Sequence, residues 1–191
     1  MQDNTADLLE DLDNPLDCVE DILINNDWIY DRKNEEEISV HVNGKMGTYH
    51  LHFMWQPEYN ALELVCELCD ISIVSNTIDT TAKAIAAINA SMWLGHFDIQ
   101  EDVFIPQYRY TSLLHGLNLA SGLELIEQLI HIALSECERF YPAFLIISKE
   151  HSSDSLTPKN DNDSKIGTHL PTSATNEERL SLALMDTAGE S

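Results

Sequence analysis

The apolar residues of the chain repeat at two spacings, one typical of helices and one typical of half-buried strands. Helical spacing comes first. Asn14 and Pro15 supply an N-cap and a first helical residue, and the apolar positions that follow predict a helix to about Asn26. Between residues 38 and 68 the apolar positions alternate with polar ones instead. The pattern therefore predicts a first helix from Pro15 that is followed by an antiparallel sheet.

Three strands are predicted in the alternating stretch. The Asn-Gly pair at 43–44 is typical of a two-residue hairpin turn, which would place Ile38 opposite Tyr49. The next turn would place Trp55 opposite Leu62, so that apolar side chains again face one another. One face of this sheet is expected to be apolar throughout and the other to be polar.

The rest of the chain predicts two more helices and two short strands. We expect an alanine-rich helix over residues 80–93, followed by strands near 97–99 and 104–114. A long third helix is expected from Ser121, with Pro142 kinking or ending it. The order α-β-β-β-α-β-β-α is typical of an α+β domain, in which helices cover one face of an antiparallel sheet.

Composition divides the chain into four segments. Residues 1–13 are acidic and are predicted to be flexible, and residues 14–149 form the domain. Residues 150–175 are rich in Ser, Thr, Asn and Asp, which predicts a disordered linker. Residues 176–191 are predicted to form a short amphipathic helix.

The charge of the chain narrows the choice of partners. Acidic residues outnumber Lys and Arg by 33 to 10, which gives a formal net charge of −23. Such a surface repels nucleic acid and anionic lipid, so we expect neither as a partner and favour a basic protein. Neither a secretory signal nor a membrane-spanning apolar stretch is evident, so a cytoplasmic location is expected.

The familiar chemical motifs are weak in this sequence. Cys66 and Cys69 form a C-x-x-C pair, but within a strand they point to opposite faces, which favours packing over redox or zinc chemistry. A glycine-rich phosphate loop and a recognisable catalytic constellation are missing from the sequence. We therefore expect no enzyme activity, no catalytic residues and no cofactor.

One polar cluster admits a metal site. His50 and His52 lie two residues apart and share a strand face. In the hairpin register above, Glu37 and Glu67 flank His50, and Glu35 lies opposite His52. These imidazoles and carboxylates are ligands that divalent metals use. Ordinary cross-strand pairing is the preferred interpretation, and a metal-binding protein is the alternative.

Two surfaces are candidates for binding another protein. Tyr108, Arg109 and Tyr110 lie on one strand, where Tyr and Arg would favour an interface, although core packing is the preferred interpretation. Leu180, Ala183 and Leu184 of the terminal helix could dock in the groove of this domain that partners use, as a tethered competitor. The alanine-rich second helix adds the hypothesis of a homodimer.

Three motifs resemble the YbjN-domain family: NPLD at 14–17, WLGHF at 93–97 and ERFYP at 138–142. The family comprises small bacterial proteins whose fold is similar to that of type III secretion chaperones, which are acidic dimers. The resemblance covers roughly residues 14–149 and implies a regulator of sensory transduction. It favours a non-enzymatic protein-binding module, chaperone-like or regulatory. A structural subunit without independent activity is a further alternative.

Overall fold

The computed structural model describes residues 12–73, 78–99 and 104–149. This part contains three α-helices, a short 3-10 helix at Pro57–Tyr59 and one six-stranded antiparallel sheet in the order β1-β2-β3-β4-β6-β5. The helices are α1 (Pro15–Asn25), α2 (Ile78–Ala90) and α3 (Leu119–Lys149), and the strands are β1 (Tyr30–Asn34), β2 (Glu37–Asn43), β3 (Thr48–Gln56), β4 (Ala61–Leu68), β5 (His96–Ile99) and β6 (Pro106–Leu113). The predicted α+β class is confirmed.

Helix α1 begins where the sequence predicts. The Asn14 side chain accepts a hydrogen bond from the Leu16 amide at 2.9 Å and donates one to the Glu35 carbonyl, also at 2.9 Å. The first bond satisfies a free amide of the first turn. The second fastens the start of α1 to the turn between β1 and β2. One residue therefore caps the helix and fixes its position against the sheet.

Strand β1 was not predicted from the sequence. It pairs with β2 and continues the sheet beyond the three-stranded meander. Its sequence is mostly charged, so it lacks the alternation that marks the other strands. Tyr30 and Arg32 both bond to Glu20 of α1, and these polar contacts hold the strand in place. The edge of the sheet thus depends on tertiary contacts more than on strand propensity.

The predicted two-residue hairpin at 43–44 is wrong. Ile38 pairs with Phe53 and not with Tyr49, and residues 44–47 form the turn between β2 and β3. Helix α3 supports this wider turn, because Glu138 accepts a hydrogen bond from the Lys45 amide. The next predicted register is confirmed, since Trp55 lies opposite Leu62.

The corner between α2 and β5 is fixed by side chains. Helix α2 spans Ile78–Ala90, slightly earlier than predicted, and the Asn89 side chain bonds both the amide of Phe97, at 2.8 Å, and its carbonyl, at 3.1 Å. Gly95 has φ of +67°, and a Cβ there would lie only 2.3 Å from the Tyr108 hydroxyl oxygen. Only glycine fits this corner without strain.

Of the alanines in α2, Ala84 packs into the core, and Ala82, Ala86, Ala87 and Ala90 are exposed. The exposed alanines are compatible with the homodimer hypothesis, which stays a prediction.

Helix α3 begins earlier than predicted and continues past Pro142, which excludes one of the two predicted effects of that proline. Its N-terminus is capped by Asn118, whose side chain accepts from the Ser121 amide at 2.9 Å, so the helix begins before the predicted cap at Ser121. Pro142 lies inside the helix and does not end it. On either side of Pro142, Phe140 and Phe144 pack against Phe97, and their ring centroids lie 5.7 and 5.0 Å from that of Phe97. This long helix covers the middle of the sheet.

The predicted acidic N-terminus lies outside the described residues except for its last two positions. The predicted linker at 150–175 and terminal helix at 176–191 lie outside them entirely. Among the residues that the structure describes, we find no helix with the length and apolarity needed to cross a membrane.

Candidate functional site

The sheet has two unlike faces. Helices α1 and α3 pack on the covered face, which carries Tyr49, Leu51, Phe53 and Trp55 of β3, all buried. The opposite face, called the open face here, carries the intervening residues of β3, which are only half-buried. The alternation expected from the sequence therefore separates an apolar side from a polar one.

A histidine cluster, formed by His50, His52 and Glu67, lies on the open face. His50 Nδ1 is 3.2 Å from Glu67 Oε2, and His52 Nε2 is 3.5 Å from the same oxygen. One ligand atom from each of the three residues lies within 4.8 Å of the others. His50 and Glu67 are direct cross-strand partners on β3 and β4, and His52 follows two residues further along β3. The backbone register thus brings the three side chains together.

The surroundings of the cluster set its protonation. Burial lowers the pKa of His50, and the neighbouring His52 and His41 lower it further. The hydrogen bond from His52 lowers the pKa of Glu67, despite partial burial. Near neutral pH the His50 imidazole is therefore neutral and the Glu67 carboxylate is ionised, and these are the forms that bind metal ions.

The neighbours of the two histidines across β2 differ from those predicted. His41 lies opposite His50, and the two rings stack with centroids 3.9 Å apart and planes 8° apart. Ser39 lies opposite His52. The predicted hairpin register places His41 on the same face but opposite Met46, so His41 is not among the candidate ligands.

Glu35 and Glu37 are not part of the cluster. Glu37 lies opposite Met54 and forms an ion pair with Lys33. Glu35 lies in the turn between β1 and β2, where it contacts Arg32 at 3.3 Å. Both predictions fail for the same reason, the shift in register between β2 and β3. Of the five candidate metal ligands, the structure brings together only the three of the histidine cluster.

The predicted Tyr-Arg-Tyr stripe is divided between the two faces. Tyr108 is 1% exposed and donates a hydrogen bond to the Leu94 carbonyl, so it is a core residue. Arg109 points to the open face, where it pairs with Glu63 and, at 3.7 Å, with Asp98. Tyr110 is half-buried on the same side of the sheet as Tyr108. The three residues therefore do not form one exposed surface.

The other predicted binding residues, Leu180 and Leu184, lie outside the described residues.

The C-x-x-C pair has the environment of structural thiols. Cys66 is fully buried in β4, and Cys69 follows the end of that strand. Burial, with help from the nearby Glu67, raises the pKa of Cys69 to about 11. A reactive thiol needs the opposite shift, because the thiolate is the nucleophile. The geometry agrees with the packing interpretation.

A groove that the sequence analysis missed lies at one end of the sheet. This hairpin groove, about 780 Å³ in volume, runs between the β2–β3 turn and α3. Its apolar lining consists of Trp28, Val42, Met46 and Leu134. Met46 is 45% exposed, and Ile29, next to Trp28 in the chain, is 93% exposed. The sequence contains one signal of this groove: the large apolar residues Trp28, Ile29 and Met46 lie outside the segments with helical or strand periodicity.

Most of the described domain matches a known protein family. The structure defines an α+β domain whose sheet has one face covered by helices and one open face. A family described as "YbjN: Putative bacterial sensory transduction regulator" matches residues 15–145, so the chain belongs to the YbjN family. No curated protein sequence matches the chain.

One solved structure similar to this chain is described as "Crystal structure of YbjN, a putative transcription regulator from E. coli". It has a TM-score of 0.45 and 13% sequence identity, and the match covers 73% of this chain and 92% of that one.

Proposed function

We propose that this domain is a non-enzymatic regulatory module that acts by binding a segment of another protein in the hairpin groove. The observation that carries the proposal is the groove itself, in which the half-buried Trp28 and Leu134 and the exposed Met46 present apolar side chains. Apolar side chains that line an accessible cleft are typical of interaction sites. The regulatory part of the proposal follows the description of the family.

The chemistry of the partner follows from charge and shape. A net charge of −23 favours a basic partner and speeds its approach. The apolar lining of the groove favours a segment that also carries large apolar side chains. We therefore expect a basic, amphipathic polypeptide segment in the cytoplasm.

Contacts with α3 and the core hold the walls of the groove in place. Its rim includes Lys45, whose amide bonds Glu138 of α3, so the β2–β3 turn is tied to the helix across the groove. A Cβ at Gly44 would lie 2.3 Å from Glu138 Oε1 and 2.4 Å from the Tyr49 ring, so the turn sits in close contact with the core. A preformed groove of this kind loses little conformational entropy when a partner binds.

A matched pair of variants tests the proposal. Met46→Lys changes an exposed apolar residue of the groove, and Leu113→Lys makes the same change at a residue that is 72% exposed at the end of β6. Partners are captured from native cell extract on the full chain, identified by mass spectrometry and then purified for affinity measurements. We expect Met46→Lys to weaken a captured interaction more than about tenfold and Leu113→Lys to leave it within about twofold.

Equal affinities for the wild type and both variants would exclude the groove. Rising salt concentration should also weaken the interaction, because part of the attraction is between charges. An affinity that does not depend on salt would argue against a basic partner.

A further inference from the structure

We propose that His50, His52 and Glu67 form a binding site for one Zn²⁺ ion on the open face of the sheet. Imidazole nitrogens and a carboxylate oxygen are ligands that zinc uses in proteins. One ligand atom from each residue lies within 4.8 Å of the other two in the structure. This inference goes beyond the proposed binding of a polypeptide and does not depend on it.

The spacing of the ligand atoms fits a tetrahedral ion. Zinc lies about 2.0 to 2.2 Å from its nitrogen and oxygen ligands, which places neighbouring ligand atoms of a tetrahedron roughly 3.4 Å apart. Glu67 Oε2 is 3.2 Å from His50 Nδ1 and 3.5 Å from His52 Nε2. Both distances are close to the tetrahedral value, and the ligand atoms of the two histidines lie within 4.8 Å of each other, so rotation of the side chains would bring the three ligands around one ion.

The sheet holds these side chains in place before an ion arrives. Strands β3 and β4 are interior strands, with β2 and β6 bonded to their outer sides. The direct pairing of His50 with Glu67, and the two-residue step to His52, are fixed by this hydrogen-bond ladder. Sites on rigid elements keep their ligand geometry more accurately than sites on loops.

The neighbouring groups are compatible with a cation. His41 stacks on His50 and limits the rotation of its ring. Arg109, a cation on the same face, is paired with Glu63 and Asp98. Two neutral imidazoles and one carboxylate leave a bound Zn²⁺ with one positive charge, which a chain of net charge −23 accommodates.

Three protein ligands leave one position of the tetrahedron for a further ligand. The three side chains keep 17 to 21% of their surface exposed, so this position is open to solvent. A water molecule completes the coordination. An open position distinguishes this site from structural zinc sites, which are closed by four protein ligands.

Calorimetric titration of the full chain with zinc chloride tests the proposal. The chain is prepared without a histidine tag and freed of metal with a chelator. We expect one Zn²⁺ to bind per chain, and magnesium, which prefers oxygen ligands, to give no signal at the same concentration. Bound cobalt offers a second readout, because its visible absorption reports the geometry of its ligands.

Three variants identify the ligands. The double variant His50→Ala/His52→Ala should bind zinc at least about 100-fold more weakly, and Glu67→Gln should weaken binding with little change of shape. His96→Ala removes an exposed histidine of the same face outside the cluster and should bind like the wild type.

Absence of binding to the wild type would overturn the proposal. The same follows if a stoichiometric ion is retained in both Glu67→Gln and the double variant, since the ligands would then lie elsewhere. Circular dichroism of each metal-free variant verifies folding, and Glu67→Gln decides the matter if the double variant does not fold.

Discussion

Strand β3 is buried on its covered face and polar on its open face, and the two faces depend on different information. On the covered face, Phe53 needs only apolar neighbours of suitable volume, and several registers would supply them. On the open face, the polar groups that His50 contacts are set by the residues directly opposite it, so a change of register changes the chemistry of the site. The comparison teaches that a periodic pattern specifies a core well, whereas a polar site requires the pairing itself.

The largest expected effect comes from emptying the covered face. Phe53→Ala removes a buried ring and leaves a cavity, which should lower the free energy of unfolding by about 3 to 5 kcal/mol. The control is Met54→Ala, one residue further along β3 on the half-buried open face, with a loss of about 1 kcal/mol or less. Urea denaturation measures both. Equal losses would contradict the distinction between the faces.

Zinc should stabilise the protein through the open face alone. A ligand at 100 times its dissociation constant raises the free energy of unfolding by about 2.7 kcal/mol if it binds only the folded state. We expect this gain for the wild type and for His96→Ala, and none for His50→Ala/His52→Ala. Urea denaturation with and without zinc provides the measurement. A gain retained by the double variant would place the ion elsewhere.

The turn between β2 and β3 tests how tightly the covered face is packed at its end. Gly44→Ala would place a methyl group 2.3 Å from Glu138 Oε1 and 2.4 Å from the Tyr49 ring. We expect a loss of about 1 to 3 kcal/mol in the free energy of unfolding, since the core must shift to admit the methyl. Lys45→Ala keeps the backbone bond to Glu138 and should change stability by less than about 0.5 kcal/mol. An unchanged free energy of unfolding in Gly44→Ala would show that the turn can move to admit the methyl group.

The smallest expected change in stability concerns Glu20 of α1, which forms polar contacts with strand β1. Hydrogen bonds from Tyr30 and Arg32 lower the pKa of Glu20. Glu20 therefore contributes stability above the pKa that it has in the unfolded chain, and this contribution is lost as the pH falls through its lower folded pKa.

Urea denaturation between pH 7 and pH 3 tests this dependence. The wild type should lose more stability over that range than Glu20→Gln, which cannot titrate at this position. Parallel curves for the two proteins would contradict the assignment.

The fold class could be predicted from the sequence because the error in the β2–β3 register left every side chain on the correct face of the sheet. Ile38 was placed opposite Tyr49 and lies opposite Phe53, and both partners are on the covered face. A shift by an even number of residues keeps every side chain on its own side. The class of the fold could therefore be derived even though one strand, β1, was missed and the first hairpin was misaligned.

The same error was decisive for the candidate site. The wrong β2–β3 register placed Glu35 and Glu37 opposite the histidines and paired His41 with another residue. Glu67 was placed correctly because the β3–β4 register was right. The wider turn depends on its contact with Glu138, which lies far away in the sequence. Local turn propensity cannot report such a contact, and the hairpin groove beside the turn was missed for the same reason.

The two ends of the sheet restrict how the domain can associate. In the described part of the chain, β1 ends the sheet on one side, with charged Asp31 and Lys33 and an irregular register after Arg32. On the other side β5 has only four residues. Short, charged and irregular edges discourage a strand of another chain from joining the ladder. The described edges therefore disfavour fibre-like aggregation, and we expect the proposed partner to be bound through side chains and not by addition of its backbone to the sheet.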